Sequence, residues 1–132
     1  MKRALMISGI IFVISFIVFG ITIYRNISNT TEMILSEEIE ALSFEQYDDG
    51  VYEGEYYLND IGICVSLEIE DGQVVSIDYS NHMNGKGDKA ELINEDIIED
   101  QSILVDDIAG ATISSRCIKL AIINALEGEE NE

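Results

Sequence analysis

Thr112 is the residue whose surroundings best suit covalent chemistry. It follows Ala109, Gly110 and Ala111, a run of small side chains that leaves its hydroxyl between low walls. Gly110 has no Cβ, so the backbone can turn sharply there and a bulky group can lie against it. Downstream, Ile118, Ala121, Ile122 and Ala125 recur at helical spacing as one apolar stripe, and Ser114 or Ser115 is the expected N-cap. Thr112 is therefore expected at a helix start, where an anionic group would meet unpaired backbone N–H groups and the positive end of the helix dipole. Asp106 works against that logic by repelling an anion, so it either holds the turn through backbone amides or helps position a metal. Taken alone, the four residues also read as a tight strand-to-helix connection with a threonine cap.

Other chemistry finds little support. His82 is the only histidine, and no base or nucleophile partner is recognisable near it. Cys64 and Cys117 lie far apart without Cys-x-x-Cys spacing, which argues against a zinc or iron–sulfur site. A disulfide between them is allowed outside the cytoplasm, but their separation is not set by the sequence. The chain also lacks a Gly-x-Gly-x-x-Gly dinucleotide turn and a haem Cys-x-x-Cys-His.

The stretch Asp106-Asp107-Ile108-Ala109-Gly110-Ala111-Thr112-Ile113-Ser114-Ser115 resembles the attachment motif of FMN-binding domains, in which a threonine carries the flavin. The order of features from Asp49 to Leu126 is similar too: Asp-Gly-Val-Tyr-Glu-Gly opening a strand, a hairpin, His82 after a third strand, a polar helix, then the motif. Ala109 departs from the pattern, standing where many members have Ser or Thr. The resemblance implies FMN joined to Thr112 by a phosphoester, installed by a separate flavin transferase that uses FAD and leaves AMP. It implies cofactor contacts from Asp106, Ala109, Gly110, Ala111, Ser114 and Ser115, and a place for His82 near the flavin. Similarity to the FMN-bearing subunits of Rnf/Nqr-type complexes implies electron transport with membrane or extracytoplasmic redox partners. The expected role is a relay rather than a self-sufficient oxidoreductase. The alternative is a membrane-tethered binding or scaffold module of the same fold without covalent flavin.

The rest of the chain must position these residues. Ala4 to Tyr24 contains no charged residue, and at about 1.5 Å per residue such a helix matches a hydrocarbon core of roughly 30 Å. Lys2 and Arg3 precede it, which places the N-terminus in the cytoplasm and the domain outside. A cleaved signal peptide is the competing reading, but the apolar stretch is long and no small-x-small site follows it. All 26 acidic residues lie beyond Arg25, against only Lys86, Lys89, Arg116 and Lys119. Such a surface repels nucleic acid.

The expected organisation is an anchor over 1–25, a polar linker over 26–48 with a short helix from Thr31 to Leu42, and an FMN-binding domain over 49–132. Val51–Tyr57, Ile61–Glu70 and Gln73–Tyr79 read as strands, with turns at Asn59-Asp60 and Asp71-Gly72. Asn81–Lys86 reads as a loop, Asp88–Gln101 as a helix, Ile103–Val105 as a short strand and the motif helix as ending near Leu126, before an acidic tail. The fold class is α+β: a small antiparallel sheet with two packed helices behind one transmembrane helix. A domain of this size has one core, so the flavin is expected in a partly exposed surface groove.

Overall fold

A computed structural model describes residues 2–59, 61–83 and 87–128, with side chains for 9–59, 61–80 and 89–128. Asp60, residues 84–86 of the expected loop, and the tail over 129–132 lie outside the described residues. The chain forms two compact units, Met1–Met33 and Ile34–Glu132.

The first unit is most of one helix, α1 (Lys2–Ser36). Its segment Gly9–Ser36, whose most apolar 18 residues have a mean hydropathy of 2.1, is long and apolar enough to cross a membrane. Ile11, Phe12, Phe16 and Phe19 are exposed along it, an arrangement that lipid accommodates and water does not. Thr22 and Thr30 donate their hydroxyls back to the Val18 and Asn26 carbonyls, at 2.9 and 3.0 Å, so these polar groups are satisfied within the helix. No separate helix spans Thr31–Leu42. Instead α1 continues to Ser36, because nothing between Arg25 and Ser36 breaks it, and the chain is irregular until a 3₁₀ turn at Phe44–Gln46.

The second unit is an α+β fold. Its sheet has the order β1 (Gly50–Leu58), β2 (Ile61–Glu70) and β3 (Gln73–Met83), all antiparallel. Ile63, Val65, Leu67 and Ile69 of β2 are buried, while Cys64, Ser66 and Glu68 between them are partly open, as alternation demands. The β2–β3 hairpin turns at Asp71 and Gly72, both with positive φ (51° and 72°), and Asp49 accepts the Asp71 amide at 2.7 Å.

Strand β3 is longer than its pattern predicts. A bulge between the Cys64 and Val65 pairings lets the ladder resume at Asn81, so His82 lies in the strand opposite Ile63 rather than in a loop after it. The expected helix over Asp88–Gln101 is two pieces, α2 (Gly87–Ala90) and α3 (Ile93–Asp100). The break lets Asn94 turn its side chain to β3, where it accepts from the Tyr79 hydroxyl and donates to the Ile77 carbonyl at 3.1 Å. Helix α3 ends at Gln101 (φ 48°), whose amide accepts from the Val74 N–H at 2.8 Å and donates to the Val74 carbonyl at 3.0 Å. One side chain thus pairs with this edge strand as a neighbouring strand would.

Helix α4 (Thr112–Glu127) packs on β1 and β2. It buries Ile118, Ala121, Ile122, Ala125 and Leu126 against the inner face of the sheet. Gly54 makes this approach close: a Cβ there would lie 2.4 Å from the Ala125 nitrogen and 2.5 Å from the Ala121 oxygen. Both obstacles are backbone and cannot swing aside. Gly54→Val therefore forces the helix off the strand, with an expected loss of about 3 kcal/mol. Calorimetry of the detergent-solubilised full chain should show the domain transition falling by more than about 10 °C. A transition unchanged within about 2 °C would refute the close approach.

Candidate functional site

Thr112 is exposed at the first position of α4, and the loop before it is built to present it. The Ala111 N–H donates to the Ile108 carbonyl at 2.8 Å, closing a turn whose third residue, Gly110, has φ +79°. A type II turn needs that conformation at that position, and glycine adopts it without strain. The next helical bond runs from the Ser115 N–H to the Ala111 carbonyl at 2.9 Å. Among the described residues, the amides of Thr112, Ile113 and Ser114 have no carbonyl partner. Ala109 and Gly110 are exposed beside them, while Ala111 is buried in the core.

Neither serine is the N-cap. Ala111 holds that position, without a side-chain cap, and Ser114 and Ser115 lie inside the first helical turn. Ser115 is fully buried and reaches backwards, its Oγ accepting the Ile108 N–H at 3.1 Å. The turn comes first in the chain and fixes where the helix can begin, so the serine serves the turn instead.

The stretch Ile103–Val105 is not a strand; two of its backbone groups pair with side chains rather than with a ladder. Leu104 N–H donates to Ser102 Oγ at 3.1 Å, and the Val105 carbonyl accepts from Lys119 Nζ at 2.5 Å. Ile103 is fully buried and anchors the segment in the core. Lys119 is itself buried, 5 % exposed, and pairs with Asp107 at 2.8 Å. Sequence reasoning missed it. The available signal was its spacing: Ser115, Lys119, Ile122 and Leu126 fall on one helical stripe, so a hydroxyl and an ammonium occupy the core-facing side of α4.

Asp106 is exposed, and among the described residues it makes no hydrogen bond or ion pair, so the turn closes without it. Lys89 in α2, also absent from the sequence reading of the motif, donates to the Ala109 carbonyl at 2.5 Å. His82 enters the description only through its backbone pairing with Ile63.

The two thiols are free and differently placed. Cys64 lies 3.0 Å from the Tyr57 hydroxyl on the outer face of the sheet. Burial pushes the Cys117 thiol up to about 11, so it stays protonated and unreactive at neutral pH. Among the described residues, no group of three or more His, Cys, Asp or Glu side chains could hold a metal.

The chain matches the model of the FMN-binding domain family over residues 57–127, more than half its length, and belongs to that family. The match takes in β2, β3, α2, α3, the Gly110 turn and all of α4, and it leaves out the Asp49–Gly54 opening. No curated protein and no solved structure matches the chain at significance.

The Lys119 contacts make a direct test of how the presenting loop is held. Lys119→Met leaves the Val105 carbonyl and the Asp107 carboxylate without their partner, at an expected cost of about 2 kcal/mol. In a double-mutant cycle by calorimetry, Asp107→Asn should cost clearly less in the Lys119→Met background than alone. Additive losses would show that the pair does not hold the loop.

Proposed function

We propose that this chain is a membrane-anchored flavoprotein that carries electrons on the outer side of the membrane, with FMN esterified through its phosphate to Thr112. One observation carries the reading: within a chain of the FMN-binding family, an exposed hydroxyl stands at the start of a 16-residue helix beside three unpartnered amides. The site fits the group. Gly110 and Ala109 leave open space where larger side chains would stand, and the helix start offers donors and positive potential to a phosphate.

Each residue then has a task. Thr112 Oγ would bond to the flavin-side phosphorus of FAD as the pyrophosphate bond breaks, with AMP leaving on the bridging oxygen and the hydroxyl proton passing to the transferase or solvent. The amides of Thr112, Ile113 and Ser114 would hold the phosphate oxygens, and Gly110 would keep the approach clear. Ser115, Lys119 and Asp107 keep the loop in place without touching the cofactor. Asp106, with no structural partner, is available to help position a metal brought during attachment. FMN, once attached, supplies reversible electron uptake. A linkage through phosphate retains the cofactor where it cannot be replaced, and leaves its ring electronically untouched.

Thr112→Ala should abolish flavin fluorescence that survives denaturation, while the calorimetric transition of the domain stays within about 2 °C of the parent, as for an exposed surface position. Flavin still covalently bound to Thr112→Ala would move the attachment to another hydroxyl.

Lys2 and Arg3 ahead of the apolar segment support an outer position for the domain. Protease added to intact protoplasts should remove the domain and leave a membrane-bound stub. Protection of the domain until lysis would reverse the orientation.

A further inference from the structure

We propose that Lys89 is the cationic positioning residue for the phosphate on Thr112, acting on the same site and resting on that flavin reading. The chain beyond Arg25 has four basic residues. Arg116 is committed elsewhere, with Nε donating to the Ile34 carbonyl at 3.1 Å and Nη2 to the Glu37 carbonyl. Lys119 is buried against Asp107 and Val105. Lys86 lies outside the described residues. Lys89 is therefore the exposed cation that the described residues bring to the motif.

Its position is specific. The ammonium donates to the Ala109 carbonyl, and a Cβ built on Gly110 would stand 3.4 Å from Nζ. The ammonium thus borders the open space at Gly110, two residues before Thr112. A lysine ammonium has three donors and uses one on Ala109, which leaves two for an anion. The need is also local: Asp106, exposed and unpaired, repels an incoming phosphate, and α4 has no acidic or basic residue in its first turn besides Arg116 near its end. Lys89 offsets that repulsion while it holds the turn open.

Lys89→Gln separates the two tasks, because the amide still donates to a carbonyl but carries no charge. Full-length apo protein in detergent, given FAD and a purified flavin transferase, should load about tenfold more slowly as Lys89→Gln, the scale of one charge-assisted hydrogen bond lost. Loading is read by intact mass. Lys89→Glu should be slower still, and Lys89→Arg should load at close to the parent rate. In the loaded proteins, the phosphorus NMR signal of the phosphodiester should shift in Lys89→Gln and stay near the parent position in Lys89→Arg. Equal loading rates, or an unmoved phosphorus signal in Lys89→Gln, overturn the role of Lys89 alone. A parent chain that takes no flavin, or that loads equally well as Thr112→Ala, removes the flavin reading and this inference with it.

Discussion

The close approach of α4 to the sheet at Gly54 is the constraint on which the site depends. A helix normally stands off a sheet by the depth of its side chains; here the glycine lets the Ala121–Ala125 backbone settle almost onto β1. With alanines on the other side of the contact, both surfaces are small where they meet and large to either side, where Ile118, Ile122 and Leu126 fill the core. That geometry sets the depth and tilt of α4 at its C-terminal half. Its N-terminal end, where Thr112 stands, is then aimed by a rigid body rather than by a loop.

A second constraint is charge. A chain so rich in carboxylates gains solubility but makes an anion costly to hold. Among the described residues, the three cations beyond Arg25 are placed on backbone carbonyls. Arg116 binds the carbonyls of Ile34 and Glu37 at the end of α1, where the helix dipole favours a cation. Lys119 binds Val105 and Lys89 binds Ala109. Two of the three fix the loop that leads to Thr112, so scarce charge is spent on shaping that loop.

The sheet was legible in the sequence because its signals are local. Alternation in Ile61–Glu70 gives the buried face directly, and Asp71-Gly72 gives the turn. The small-residue run also marked the sharp turn at Gly110, since few residues accept φ near +79°. What the sequence hid were polar side chains that complete distant backbone groups. Gln101 pairing with Val74 and Asn94 with Ile77 look, in one dimension, like solvent-facing residues, while Ser115 pairing with Ile108 and Lys119 with Val105 are marked only by lying on the apolar stripe of α4. The short strand expected at Ile103–Val105 failed for this reason: apolar residues suggest a ladder, but the carbonyl of Val105 already had a lysine. The N-cap expectation failed similarly, because a serine near a helix start can serve the loop before it as readily as the helix after it.

These tertiary bonds explain why Thr112 can be exposed and still be fixed. An exposed loop is ordinarily mobile, and a mobile threonine would present its hydroxyl in many orientations. Here the loop is held from beneath by Ile103 and Ser115, from the helix by Lys119 and from α2 by Lys89, while Ala109, Gly110 and Thr112 remain open to solvent. Order comes from contacts on the inner side and access from small residues on the outer side. A second protein can then reach the hydroxyl without the domain unfolding, and a group attached there inherits the rigidity of α4.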